Sequence, residues 1–121
     1  MAINPRVTII ATFIGEDLTR KIPIKELAGY VNLSPSRLRQ MFRDEIGLTP
    51  QQYLNILRLK KAKELLETSF LSIKEIRLIV GAKEKSRFAR DFNKVYGLTP
   101  HQYREKHLQE RFSDVGNLFD G

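Results

Sequence analysis

The sequence predicts an all-α protein of about seven helices, built as two helix-turn-helix units joined by a long linker helix. Three observations predict it. A pattern that begins at Lys25 returns at Lys74, each copy holds two apolar stripes of helical period around a turn signal, and no segment reads as a strand. The boundaries follow from the pattern: residues 5–48 for the first unit, 49–67 for the linker helix, 68–108 for the second unit, and 109–121 as a flexible tail.

The repeat is specific. The first copy runs Lys25-Glu26-Leu27, Ser36-Arg37-Leu38, Phe42, Gly47-Leu48-Thr49-Pro50 and Gln52-Tyr53. The second runs Lys74-Glu75-Ile76, Ser86-Arg87-Phe88, Phe92, Gly97-Leu98-Thr99-Pro100 and Gln102-Tyr103. The offset is 49 at the lysines and 50 from the serines onward, so one extra residue sits between the two helices of the second copy. A period near 50 that occurs twice is a duplicated module, not a solenoid.

Each helix has its own start and stop signals. Val7, Ile10, Phe13, Ile14 and Leu18 describe an amphipathic first helix that ends near Thr19. Pro23 precedes the run Leu27, Ala28, Val31, and Asn32 is a residue that tolerates a left-handed turn. Ser34-Pro35 reads as N-cap and N1 of a helix that buries Leu38, Met41, Phe42 and Ile46 and stops at Gly47. Thr49-Pro50 opens the linker helix, whose stripe is Tyr53, Ile56, Leu57, Ala62, Leu65 and Leu66. Ser72-Ile73-Lys74-Glu75 is a capping box, followed by Ile76, Ile79 and Val80 and a turn at Gly81. Residues 84–96 form the next helix, with Phe88, Phe92 and Val95 inward. Thr99-Pro100 opens a last helix through about Leu108, with fraying from Ser113.

Composition narrows the function classes. The net charge of +7 is concentrated in residues 72–107, with nine basic against four acidic side chains, whereas the last fourteen carry one against three. Such a balance favours a polyanionic partner, a nucleic acid or an anionic membrane surface, with a merely solvated basic surface as the bland alternative. No apolar run reaches the roughly 20 residues of a membrane span, and no secretory signal is present. The absence of cysteine excludes disulfides, thiol nucleophiles and thiolate zinc sites, and fits a reducing cytoplasm. His101 and His107 have no clustered carboxylates, so neither a metal nor a cofactor is expected, and no activated nucleophile points to an enzyme.

Two helix faces carry the chemistry. In residues 34–46, Ser36, Gln40 and Arg43 lie opposite the apolar stripe, flanked by Arg37 and Arg39. Arginine can grip guanine O6 and N7, and glutamine adenine N6 and N7. A solvated charged face is the competing reading for one such helix, but the second copy repeats the arrangement. There Ser86, Arg90 and Asn93 face away from Phe88 and Phe92, and Ala89 is small enough to meet a thymine methyl group. Lys83, Lys85 and Arg87 crowd the start of that helix, where the dipole itself attracts anions, so a DNA phosphate is expected there. At 1.5 Å per residue the linker helix spans roughly 27 Å, close to one DNA turn, which suits adjacent major-groove segments.

With these residues in place, residues 5–107 resemble the DNA-binding domain of the AraC/XylS transcription regulators. The resemblance rests on Leu27-Ala28, Ser34-Pro35-Ser36-x-Leu38-x-x-x-Phe42, Gly47-x-Thr49-Pro50-x-x-Tyr53 and Arg58-Leu59-x-x-Ala62-x-x-Leu65-Leu66. It continues through Ile73-x-x-Ile76, Gly81, Ser86-x-Phe88-x-x-x-Phe92 and Gly97-x-Thr99-Pro100-x-x-Tyr103-Arg104. It implies a bipartite reader of double-stranded promoter DNA that recruits RNA polymerase, most often as an activator, in the cytoplasm and on the nucleoid. Carried over by position, base contacts fall on Ser36, Arg39, Gln40, Lys85, Ser86, Ala89 and Arg90, with Arg43 and Asn93 nearer the backbone. By length the chain resembles members that consist of this domain alone, with no effector site. It departs from the family pattern at Arg77, where a small residue is usual, at Ala82, where phenylalanine is usual, and in the charged Lys83-Glu84-Lys85. Loss of a buried phenylalanine costs on the order of 3 kcal/mol unless neighbours fill the space, so a looser second unit is expected. A non-specific architectural DNA-binding protein and a protein-binding helical module are the rival readings.

Overall fold

A computed structural model describes residues 3–120, and its described residues form seven helices and no strand. They are α1 (Pro5–Glu16), α2 (Ile24–Tyr30), α3 (Pro35–Ile46), α4 (Pro50–Thr68), α5 (Ile73–Ile79), α6 (Lys85–Tyr96) and α7 (Pro100–Asp120). The chain divides into two compact units, Met1–Arg58 and Leu59–Gly121, with the division inside α4.

The first unit is nucleated by caps that the sequence encodes. Asn4 accepts from the Arg6 amide at 2.9 Å, and its own amide donates to Glu45 at 2.8 Å, tying the start of α1 to α3. Val7, Ile10 and Ile14 of α1, Leu27 and Ala28 of α2, Leu38 and Phe42 of α3, and Leu54 of α4 make the buried core with Val31. α1 stops at Glu16, three residues earlier than the apolar spacing predicts, because Asp17 turns extended and takes the Thr19 amide and hydroxyl at 2.9 and 2.6 Å. These two bonds hold the Asp17 carboxyl below its usual range. Arg58, at the end of this unit, turns inward, donates to the Leu18 carbonyl at 2.8 Å, and has its guanidinium pKa pulled down by burial.

The second unit uses Leu59, Ala62 and Leu66 of α4, Ile76 of α5, Val80, and Phe88 and Phe92 of α6. Tyr96 and Tyr103 close it, with ring centroids 4.7 and 5.7 Å from that of Phe92. The Tyr103 hydroxyl donates to Glu67, and Arg104 caps the end of α4 through the carbonyls of Leu66, Ser69 and Leu71.

The duplicated Gly-Leu-Thr-Pro-x-Gln-Tyr is a helix-to-helix joint. Gly47 and Gly97 take φ of 88° and 78°, the left-handed stop that costs other residues strain. Thr49 and Gln52 then cap α4 reciprocally at 3.2 and 3.0 Å, and Thr99 and Gln102 repeat both distances on α7. Tyr53 and Tyr103 finish the joint by packing edge-on to Phe42 and Phe92.

Three core expectations are corrected. Ile56, Ile79 and Val95 are exposed, at 39%, 48% and 47%, while Leu54 and Leu59 are buried in their place on α4. α4 serves two cores, so its apolar residues change face between its first and second halves. On α6 the buried face is centred on Phe92 and turned toward Tyr96, away from Val95. The last helix does not stop near Leu108 but continues through residues 109–120. From Gln102 to Val115 it meets neither glycine nor proline, and Glu105, Lys106, Gln109, Glu110 and Arg111 favour helix without any packing.

Candidate nucleic-acid interface

Each unit presents one helix whose outer face is basic. On α3 the cap is Ser34, whose hydroxyl accepts from the Arg37 amide at 3.1 Å, and Pro35 occupies the first helical position. Leu38 and Phe42, both fully buried, clamp the helix by its back. Ser36, Arg37, Arg39, Gln40 and Arg43 are consequently all exposed. The Arg37 guanidinium donates to the Gln40 side-chain oxygen at 3.2 Å, one turn along the exposed face. Arg39 stands on the rim of a shallow hollow lined by Ile22, Ile24, Thr49, Pro50 and Gln51.

α6 is held in the same way, by Phe88 and Phe92. Lys83, Lys85, Ser86, Arg87, Arg90 and Asn93 are exposed, and Ala89 is half-buried. Two acidic residues absent from the corresponding places on α3 change its electrostatics. Arg87 pairs with Asp91 one turn on at 3.8 Å, where α3 has Met41. Glu84 is the N-cap, and its two carboxylate oxygens accept from the amides of Ser86 and Arg87 at 3.0 and 2.7 Å.

The phosphate seat expected at the start of α6 is therefore filled by the chain's own carboxylate. A DNA phosphate would have to displace an anion covalently tethered to the helix. The signal was available: the 50-residue offset pairs Glu84 with the N-cap Ser34.

Before α6, the turn departs from that of the first unit. Both turns hinge on a left-handed residue, Asn32 at φ 59° and Gly81 at φ 81°. Arg77 donates from one guanidinium nitrogen to the carbonyls of Ala82, at 3.1 Å, and Lys83. Arg77 and Ala82, two departures from the family pattern, are thus joined in one arrangement.

Among the described residues no cluster of three or more histidine or carboxylate side chains is placed to hold a metal ion, and no helix is long and apolar enough to cross a membrane.

The chain matches a helix-turn-helix domain family over residues 27–106. It is 32% identical over 99 residues to the melibiose operon regulatory protein of Escherichia coli, a match covering 82% of this chain and 33% of that protein. It is 28% identical over 102 residues to the lactose operon transcription activator of Staphylococcus xylosus, covering 84% and 37%. Among solved structures it is similar to the DNA-binding domain of the global transcriptional factor AdpA in complex with a target DNA. That likeness has a TM-score of 0.80 and 25% identity, over 89% of this chain and 97% of that one. The chain thus spans about a third of the length of these curated relatives.

Proposed function

Since the chain belongs to the AraC-type helix-turn-helix family of DNA-binding transcription regulators, we propose that it reads two segments of double-stranded promoter DNA. α3 takes one major-groove segment and α6 the other. The observation that carries this is the pair of exposed basic faces at repeat-equivalent positions, each clamped from behind by buried aromatic or aliphatic anchors of its own unit.

Roles follow from side-chain chemistry. Arg39 and Gln40 on α3, and Arg90 on α6, reach base edges, since a forked guanidinium suits guanine and a carboxamide suits adenine. Ser36, Lys85 and Ser86 add single contacts, and Ala89 admits a thymine methyl. Arg37, Arg43, Lys83, Arg87 and Asn93 contact phosphates and fix the register. The protein acts as an activator that recruits RNA polymerase, as the lactose operon relative's activator role supports, and it works in the cytoplasm on the nucleoid.

Selection from a randomised duplex pool, followed by footprinting, tests the reading. Two enriched segments, one lost with changes in α3 and the other with changes in α6, are expected. Enrichment of a single segment overturns the bipartite reading. Affinity that falls steeply with salt yet discriminates no sequence establishes the architectural alternative instead.

A further inference from the structure

We propose that Arg77 is the positioning residue of the second reading helix, holding through hydrogen bonds a turn that the first unit holds through apolar packing. The inference rests on the reading of DNA by α6 and names the side chain that aims it.

The duplication supplies an internal comparison. With the 49-residue offset, Ala28 pairs with Arg77, Asn32 with Gly81, and Leu33 with Ala82. The backbone is the same in both turns: the Leu33 amide donates to the Ala28 carbonyl at 2.8 Å, and the Ala82 amide to the Arg77 carbonyl at 2.9 Å. The side chains are exchanged. In the first unit a small, fully buried Ala28 leaves room for Leu33, which packs against the core. In the second the small residue is Ala82, and the large one is Arg77.

The exchange coincides with the inserted residue. Lys83 lengthens the second turn by one, which adds a carbonyl that no helix satisfies. Arg77 takes that carbonyl and the one before it with a single guanidinium nitrogen, and Glu84 takes the amides of Ser86 and Arg87. The segment that enters α6 is thereby pinned on both sides by charged hydrogen bonds, the stronger kind. The register of Lys85, Ser86, Ala89 and Arg90 follows from where that segment is pinned.

The test compares Arg77→Ala, Arg77→Lys and the double variant Arg77→Ala/Ala82→Leu, which installs the first unit's pairing, with the wild-type chain. Amide exchange at Ser86, Arg87 and Phe88 needs no DNA. Affinities for a selected duplex, and for versions scrambled in one segment, give a discrimination ratio per segment.

Arg77→Ala should speed exchange at those amides and cut the second-segment ratio about tenfold, the scale of a lost charged hydrogen bond, while leaving the first-segment ratio unchanged. The double variant should restore most of both, and Arg77→Lys, which lacks the fork, should restore less. Unchanged exchange in Arg77→Ala overturns the positioning role whatever becomes of DNA reading. Faster exchange with an intact second-segment ratio, or equal loss of both ratios, also overturns it. If the wild-type chain enriches no second segment, the bipartite reading fails, and the exchange rates still judge whether Arg77 holds the turn.

Discussion

Arg39 and Gln40 on α3 stand where α6 has Ala89 and Arg90, so the duplicated module has one scaffold and two exposed faces of different chemistry. Arg39→Ala and Arg90→Ala should each weaken binding to a selected duplex by about 1–3 kcal/mol and relax preference at one position, in different segments. Base-by-base competition measures it, and uniform weakening across sequences would reduce both residues to phosphate contacts. Glu84→Ser keeps an N-cap of the type Ser34 provides but frees the anion seat of α6. It should tighten binding to scrambled duplex and steepen the fall of log affinity with log salt by roughly one phosphate's worth. An unchanged slope would mean that no phosphate comes near that helix start. At this scale the sequence was legible in outline: every polar residue read from the helical wheel is exposed, and Ala89 alone is half-buried. What was not legible is partnership. Glu84 reads as part of a charged stretch and Arg77 as a departure where a small residue is usual, and only the folded turn shows that they satisfy backbone amides and turn carbonyls.

Helix boundaries with a chemical stop were readable, because Gly47 and Gly97 each end a helix with a left-handed residue. An added Cβ would meet nothing within 4 Å at either glycine, so the cost of alanine there is backbone strain alone. Gly47→Ala and Gly97→Ala should each destabilise by about 1–2 kcal/mol in denaturant titration. Boundaries without a stop were not readable, as the continuation of α7 beyond Leu108 shows. Faces failed where a helix serves an unusual environment. Ile56 sits on the helix that two cores share, and on α6 it is Tyr96 that packs against the core, its ring centroid 6.3 Å from that of Tyr103, while Val95 is exposed. That joint has a pH signature. The Tyr103 hydroxyl holds the Glu67 carboxyl below its usual range, burial opposing it and Lys63 adding a smaller pull. A depressed carboxylate pKa contributes stability above the ordinary carboxylate range, and the contribution is lost as pH falls through the folded-state value. Tyr103→Phe should therefore cost about 1 kcal/mol near neutrality and progressively less in acid, read from denaturation midpoints across pH. A cost independent of pH would reassign it to packing.

Two separate buried clusters make the molecule a pair of small cores in one chain, one centred on Phe42 and the other on Phe92. Each unit has close to 60 residues, a size at which a single core rarely supplies more than about 3–5 kcal/mol. Truncating a buried phenylalanine to alanine costs about 3–5 kcal/mol, the whole of that margin. Phe92→Ala should consequently unfold the second unit while methyl resonances of Ile10, Leu38 and Leu54 stay dispersed, and Phe42→Ala should do the converse. Heteronuclear spectra of the two variants separate this from its opposite, in which either substitution collapses both sets of signals together and the chain unfolds as one cooperative body. The consequence for DNA is specific. Phe92→Ala alters no exposed residue of α6, yet on the proposed reading it should abolish protection of the α6 segment and leave that of the α3 segment, because an exposed face keeps its shape only while the core behind it holds the helix.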